Sequence, residues 1–304
     1  MPKAQSALFL LFAVIQFLLG IFANGIILVG NIIGLVKERK LTPLDLLLSC
    51  LAGSRICLQS FLFYFDLLVL SLTQVPASFD IFVIMFFVNK LGLWLATWLG
   101  VFYCIKITTF RHPLFLWLKR RISGMVPWLV AKSLLYAAVF SGIYSKYTWV
   151  ISQALLQKFS SKNATGQIKE PSALSFCLLI IGLSFPFLIF LIASLLLIFS
   201  LARHTWHMAT SVAGTRDPGR SVHISALWSV LSFFILYFCH YSVALLLSSC
   251  IFPPGSLMFL LCLLISGSYS SGHSIILILG NPKLKRNAKR LLSPCDHFQE
   301  PTTG

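Results

Sequence analysis

The sequence predicts an all-α membrane protein, a bundle of seven transmembrane helices. Three observations carry this prediction. Of the 304 residues, 58% are hydrophobic, only 11% are charged, and apolar stretches long enough to cross a bilayer recur seven times. A soluble domain of this length needs a larger charged fraction to cover its surface. In a bilayer, a helix of about 20 apolar residues satisfies its own backbone hydrogen bonds and crosses the hydrocarbon.

Each predicted span ends where charged or turn-forming residues begin. The run KERK follows the first span, SLTQVPAS follows the second, and IFPPG separates the sixth from the seventh. The first span continues past Asn24, which is too long for a cleaved signal peptide, whose apolar core is about 7 to 15 residues. With no repeat or linker, residues 1–304 are expected to form one domain. The predicted spans are 7–35, 44–70, 81–107, 124–144, 173–201, 224–249 and 256–279, with a polar segment at 146–172.

The Lys and Arg residues near the span ends predict the orientation. Short cytoplasmic loops carry more of these cations than external loops do. With the N-terminus outside, sixteen fall in the inner segments and five in the outer segments, so we expect the N-terminus outside and a basic C-terminal tail in the cytoplasm. The inner cations are Lys37, Arg39, Lys40, Lys106, Arg111, Lys119, Arg120, Arg121, Arg203, Arg216, Arg220, Lys283, Lys285, Arg286, Lys289 and Arg290.

The net charge of +16 does not indicate nucleic-acid binding. A nucleic-acid interface needs its cations on one accessible face of a folded domain, whereas these are divided among four short segments beside the membrane. A second signal agrees with the orientation. The glycosylation sequon Asn163-Ala164-Thr165 lies in the polar segment that the charge distribution assigns to the outside, where such a sequon is usable.

Ionisable residues inside the predicted spans are candidates for function, because each costs roughly 2.5 to 3.5 kcal/mol to insert. Arg55 lies about ten residues into the second span, and Asn24 or a backbone carbonyl of the first or seventh helix is its expected partner. It is either an internal polar latch that differs between conformational states or a static interhelical clamp. Asn89 and Lys90 lie in the outer half of the third span, where an open crevice would keep the ammonium solvated. Asp66 either pairs with Lys90 or, more simply, is solvated.

His240 and Tyr241 of the sixth span are candidates for the same crevice, although a lone membrane histidine is more often structural than ligand-binding. Acidic residues are scarce and the histidines follow no metal-ligand spacing, so neither an enzyme nor a bound metal or cofactor is expected. A small transporter or channel remains the alternative class. It would be expected to show inverted repeats and facing broken helices.

Several long motifs resemble one family, the taste receptor type 2 or bitter taste receptors, which are seven-helix G-protein-coupled receptors. The resemblance runs almost end to end. FYCIKITTFRHPLFLWLKRRI, at 102–122, is similar to the family's third-helix exit and second inner loop and is the most diagnostic segment. The other matching segments are NGIILVGN (24–31), LTPLDLLLSCLAGSR (41–55), PFLIFLIASLLLIFSLARHTWHM (186–208), GTRDPGRSVHISAL (214–227) and HSIILILGNPKLK (273–285).

The resemblance implies that small bitter compounds bind from outside and that a heterotrimeric G protein, with a gustducin-like alpha subunit, is activated inside. The lipid bilayer is the third partner. The ligand candidates are Met85, Phe86, Asn89, Lys90, His240, Tyr241 and Ser266. The candidates for coupling and activation are Arg55, Lys106, His112, Pro113, Leu114, Phe115, Trp117, Lys119, His204, Met208, Asp217 and His223, and those for structural support are Asn24, His273 and Ser274.

Overall fold

The described part of the chain is helical throughout its regular structure. The structure, a computed structural model, describes residues 3–70, 79–108, 113–160, 173–211, 218–249, 251–253 and 256–292. The elements are α1 (Lys3–Glu38), α2 (Pro43–Val69), α3 (Phe79–Ile107), α4 (Pro113–Ser160), α5 (Ala173–Ser211), α6 (Pro218–Ser248), α7 (Leu257–Gly280) and α8 (Pro282–Leu292).

The seven predicted spans are confirmed. Within the described residues, seven helices are long and apolar enough to cross a membrane. Their outward faces carry large apolar side chains, such as Phe12, Leu18 and Phe199, that are more than half exposed. In water such a surface would be unstable, whereas in a bilayer it contacts acyl chains.

Four of the described helices begin at a proline: α2 at Pro43, α4 at Pro113, α6 at Pro218 and α8 at Pro282. Proline suits the first position of a helix because its missing N–H would have no intrahelical partner there. At α2 the cap is complete. The Thr42 hydroxyl accepts a hydrogen bond from the Asp45 backbone N–H at 3.1 Å and donates one to the Asp45 carboxylate at 2.7 Å.

The fourth helix is longer at both ends than predicted. It begins at Pro113, not near residue 124, and its membrane-spanning part is Phe115–Tyr144. It also continues to Ser160, into the segment expected to be a polar loop. Apolar periodicity marks the part of a helix that meets lipid, so it misses turns that extend beyond the bilayer. The second inner loop is therefore short, and residues 113–122 of the segment FYCIKITTFRHPLFLWLKRRI belong to α4.

A short helix, α8, was not predicted. Its N-terminus is capped by Asn281, whose side-chain oxygen accepts from the Lys283 N–H at 2.9 Å. Leu284 and Ala288 are buried where α8 packs on α1 and α7. The four cations Lys285, Arg286, Lys289 and Arg290 are exposed. A salt bridge of 2.7 Å joins the Lys283 ammonium to buried Asp45 and ties α8 to the N-terminal end of α2.

The centre of the bundle is α3, which packs against α2, α4 and α5. Leu95 and Leu99 of α3 are fully buried in the main apolar core. Beside them the Thr97 hydroxyl donates to the Leu93 carbonyl at 2.9 Å and lies 3.2 Å from the Pro186 carbonyl of α5. The Thr97 hydroxyl thus contacts the backbone of both α3 and α5 in the buried centre of the bundle.

Candidate functional site

Arg55 is the centre of a buried polar network that joins α1, α2 and α7. Its guanidinium donates to the Ser274 hydroxyl at 3.1 Å and to the δ1 nitrogen of His273. The Ser274 hydroxyl lies 2.7 Å from the side-chain oxygen of Asn24. Asn24, Arg55, His273 and Ser274 are all almost completely buried. A cation at this depth is retained because side-chain acceptors surround it.

The expected partner of Arg55 was wrong in one respect. Arg55 contacts two side chains of α7, not a backbone carbonyl, and it reaches Asn24 only through Ser274. The amide of Asn24 donates instead to the Gly20 carbonyl of its own helix at 2.8 Å. The reason is geometric. His273 and Ser274, two consecutive polar residues of α7, lie opposite the guanidinium and accept its N–H groups, so the guanidinium does not contact α1 directly.

Tyr269 connects this network to the part of the bundle that contains His240. The Arg55 guanidinium lies 5.5 Å from the Tyr269 ring centroid. The His240 ring of α6 stacks on Tyr269 with centroids 4.5 Å apart, and the Tyr237 ring lies 5.7 Å away. Rings in contact move together, because a packed core has few voids into which one ring can turn alone. His240 and Arg55 are thus connected through one intervening residue, Tyr269.

Lys90 has an unusual environment. It is only 1% exposed, and its ammonium has no hydrogen-bond partner among the residues that the structure describes. It lies 5.1 Å from the Phe86 ring centroid and 5.0 Å from that of Phe140 on α4. These are cation–π distances.

The expectations for Lys90 and Asp66 were therefore wrong. The ammonium is enclosed by two rings rather than solvated in an open crevice, and in the described part of the chain it forms no salt bridge with Asp66. Asp66 is itself only 8% exposed, so the solvated carboxylate expected at the outer end of α2 is not found. The position of a residue along its span indicates its depth in the bilayer. It does not indicate which neighbouring helices cover its side chain.

The remaining ligand candidates divide into two groups. Met85, Phe86, Asn89 and Ser266 are half-buried. Tyr241 faces α5: its hydroxyl is 2.7 Å from the Ser184 hydroxyl, and its ring stacks on Phe187 at 4.4 Å. The structure therefore brings His240 next to α7 and Tyr241 next to α5.

Three residues of this region have no signal in the sequence that would separate them from ordinary core residues. Phe140 provides the second ring beside Lys90, and Tyr269 joins His240 to Arg55. Tyr237 is fully buried, with its hydroxyl 3.4 Å from that of Thr97. Aromatic residues at helical spacing are typical of any membrane core, so only the packing of different helices identifies these three.

The inner candidates lie around the start of α4. The Lys119 ammonium donates to the Thr108 carbonyl at 3.2 Å, which ties α4 to the end of α3. Trp117 is 50% exposed and lies 5.4 Å from the Arg121 guanidinium. Lys106 lies 5.8 Å from the Phe102 ring, and Pro113 is exposed.

Several predicted positions fall outside what the structure describes. His112, Asp217 and the sequon at Asn163 lie outside the described residues. His204 and Met208 are on α5, His223 is on α6 and Leu114 is on α4, but the structure describes only their helical backbone.

Comparison with known proteins decides the family. The model of the family described as taste receptor protein (TAS2R) matches residues 1–296. The chain belongs to the taste receptor protein family. It is 53% identical to taste receptor type 2 member 1 of Pan paniscus over 292 residues, 96% of this chain and 98% of that protein. It is 47% identical to taste receptor type 2 member 119 of Rattus norvegicus, covering 97% of this chain and 88% of that one.

Membership of the taste receptor family confirms the resemblance carried by the sequence motifs. The chain is a multi-pass membrane protein of a G-protein-coupled receptor family for bitter taste, and it is not an enzyme. The relationship also includes a less similar member of the family, since taste receptor type 2 member 2 of Homo sapiens is 33% identical over 286 residues. The buried network and the Lys90 environment are thus parts of a receptor bundle.

Proposed function

We propose that this receptor binds small bitter compounds from the extracellular side and activates a heterotrimeric G protein with a gustducin-like alpha subunit. Residues 1–304 act as one seven-helix domain, with the N-terminus outside and the basic tail in the cytoplasm. The compound binds between α3, α5, α6 and α7, and the G protein binds at the inner ends of α3, α4, α5 and α6.

The observation that carries the proposal is the series of contacts from His240 through Tyr269 to Arg55. His240 belongs to the outer half, where ligand is proposed to bind, and Arg55 belongs to the network that fastens α1, α2 and α7. A ligand that moves His240 alters the packing of Tyr269 and, with it, the surroundings of the guanidinium. Such a ligand shifts the receptor between two packings only by its difference in affinity for them.

The proposed ligand-binding walls favour broad recognition. Met85 and Phe86 are half-buried on α3. Methionine is unbranched and polarisable, so it adapts to ligands of different shape. A few polar groups among apolar walls are typical of small-molecule sites. Asn89 and Ser266 are half-buried and provide such groups.

The proposed G-protein surface combines apolar and basic side chains at the start of α4. Trp117 and Pro113 are exposed there, and Lys119 holds the end of α3 by its bond to the Thr108 carbonyl. Movement of α3 would therefore displace the first turns of α4. Arg111, Arg120 and Arg121 are close to the anionic inner leaflet in the proposed orientation, which would hold this surface at the membrane.

Replacement of residues 112–115 by alanine tests the coupling surface. We expect the variant to reach the cell surface in normal amount but to lose agonist-dependent calcium responses in cells that co-express a taste-type G protein. The measurements are surface staining and calcium fluorescence with a chemically diverse bitter panel.

Trp128→Leu is the matched control. Trp128 lies on the same helix and is largely exposed on the bundle surface, so its replacement should leave calcium responses intact. Full responses from the 112–115 variant would refute docking at this surface. Agonist-independent solute flux in receptor vesicles, without G-protein activation, would favour the transporter or channel class instead.

A further inference from the structure

We infer that the Lys90 ammonium binds the anionic group of a ligand, so that organic anions such as carboxylates are a preferred class of agonist for this receptor. The inference rests on the proposed function, because it assigns a chemical class to ligands of the site proposed there.

The first step is the lack of a counter-ion at Lys90. The side chain is 1% exposed, and its three donors have no hydrogen-bond partner among the described residues. The Phe86 and Phe140 rings lie 5.1 and 5.0 Å from the ammonium and compensate part of the lost hydration. Aromatic faces accept no conventional N–H···O hydrogen bond, and buried cations are normally paired with an anion.

The second step is that the described carboxylates do not fill this role. Asp45 is at the inner end of α2, where it pairs with Lys283 at 2.7 Å. Asp66 is nearer in depth and is buried, but in the part of the chain that the structure describes it forms no salt bridge with Lys90. Among the described residues, the ammonium in the outer half of the bundle thus has no complementary charge, and we assign that charge to a ligand.

The third step is a second buried polar side chain in the outer half of the bundle. His240 of α6 is 4% exposed, and neither ring nitrogen has a hydrogen-bond partner among the residues described. The ligand carboxylate would accept from the Lys90 ammonium, and an imidazole N–H of His240 would be available to a further polar group of the ligand. The apolar body of the ligand would contact Phe86 and Tyr269, the rings beside these two donors.

Lysine suits a site that is closed without ligand. Its four-carbon stem is flexible and its ammonium has three rotatable donors, so it can leave the two rings and follow an incoming anion. In the absence of ligand, Phe86 and Phe140 hold the charge. Charge-assisted hydrogen bonds are about twice as strong as neutral ones. Replacing the contacts of the ammonium with the two rings by a hydrogen bond to a carboxylate therefore favours the ligand-bound state.

The test compares aromatic carboxylates with their own methyl esters, measured by binding to the purified receptor in phosphatidylcholine nanodiscs at neutral pH. Each ester retains the aromatic body of its acid but carries a methyl group in place of the charge. For the wild type we expect the acids to bind about tenfold more tightly than the esters, a difference typical of one charge-assisted bond. Lys90→Met should abolish this preference, and Lys90→Arg should retain it.

Lys132→Met is the matched control, because Lys132 is an exposed lysine of α4. It should leave the acid preference unchanged. Lys90→Met should also raise the thermal stability of the ligand-free receptor, since it removes an unpaired buried charge and keeps a side chain of similar length. The wild-type comparison requires no variant, so it remains decisive even where Lys90→Met folds poorly.

Two results would overturn the inference: acids that bind no more tightly than esters, or a preference that survives in Lys90→Met. Calcium responses separate this failure from failure of the proposed function. If the acids bind no more tightly than the esters, neutral bitter compounds that still activate the wild type would show that the receptor function stands without the anion preference. Acids that bind in nanodiscs but evoke no cellular response would refute the statement that such anions are agonists, although the anion-binding role of Lys90 would stand.

Discussion

Ser274 links two polar side chains that would otherwise be buried without partners. Its hydroxyl accepts from Arg55 at 3.1 Å and lies 2.7 Å from the Asn24 oxygen. It also lies 2.9 Å from the Ser270 carbonyl one turn earlier, so its single proton has two acceptors within reach. A small residue allows α1, α2 and α7 to approach closely at this point, and its hydroxyl satisfies the groups that this approach buries.

Replacing Ser274 by alanine should therefore destabilise the bundle. The Arg55 guanidinium loses an acceptor and the Asn24 oxygen loses its donor, and neither is accessible to water. We expect the free energy of unfolding to fall by about 2 kcal/mol, the cost of leaving a buried polar group unsatisfied. Thermal unfolding in detergent measures the change.

Ser268→Ala on the same helix is the control for this prediction. Ser268 is exposed, and its hydroxyl bonds mainly to the Leu264 carbonyl of its own helix at 2.7 Å, so little stability should be lost. Equal stability of the Ser274→Ala variant and the wild type would show that Arg55 finds another acceptor. The network would then not be what holds α1, α2 and α7 together.

At the residue scale, depth in the bilayer is readable from the sequence and partners are not. Arg55 and Lys90 are both identifiable as ionisable residues within apolar spans. Arg55 faces two polar residues of α7, whereas Lys90 faces aromatic rings of α3 and α4. The difference depends on the rotation of each helix about its axis. Many of the surrounding residues are apolar on every side, so the pattern does not fix that rotation.

At the scale of elements, the apolar spans were predictable but the helix ends were not. Hydropathy detects contact with lipid, and it gave all seven membrane helices. The first turns of α4 and the whole of α8 contain many charged residues, so hydropathy does not mark where these helices begin. Their signals are of another kind: Pro113 and Pro282 begin these helices, and Leu284 and Ala288 form the buried stripe of α8. A proline followed by a basic amphipathic segment was the feature of the sequence that indicated the start of each of these helices.

The Phe140 ring of α4 lies against the backbone of α5 at one glycine. A Cβ atom at Gly182 would overlap the ring of Phe140, which is also one of the two rings beside Lys90. Glycine at this position allows the ring of α4 to lie directly on the backbone of α5. The contact between these helices and the enclosure of Lys90 are thus consequences of the same residue.

Gly182→Ala should therefore displace Phe140 and loosen the α4–α5 contact. We expect a loss of about 1 to 3 kcal/mol in the free energy of unfolding, as for other substitutions that overpack a core. Thermal unfolding measures it. At Gly25 no neighbouring heavy atom lies within 4 Å of an added Cβ, so Gly25→Ala should gain about 0.5 to 1 kcal/mol from helix propensity. Similar gains at both positions would mean that the Phe140 ring turns aside without cost.

At the scale of the whole molecule, charge and apolar surface divide the bundle into three zones. The exposed apolar side chains of α1 and α5 form the middle zone. The cations of α8 and of the start of α4 lie at one end of the bundle, joined to it by the Lys283–Asp45 and Lys119–Thr108 contacts. Since anionic lipids are concentrated in the cytoplasmic leaflet, this end is most stable on the cytoplasmic side.

The orientation itself is a prediction that tagged receptors test. An epitope tag at the N-terminus should be stained on intact cells, and a tag at the C-terminus only after permeabilisation, because moving the cationic end outward would separate it from the anionic leaflet. Asn163→Gln should abolish a glycan-dependent mobility shift, since the sequon is placed outside. Substituting Lys285, Arg286, Lys289 and Arg290 together by glutamine provides a graded comparison: a fraction of this variant should insert with the opposite orientation. Staining of both tags on intact cells, or an unglycosylated wild type, would refute the orientation on which both proposed binding surfaces depend.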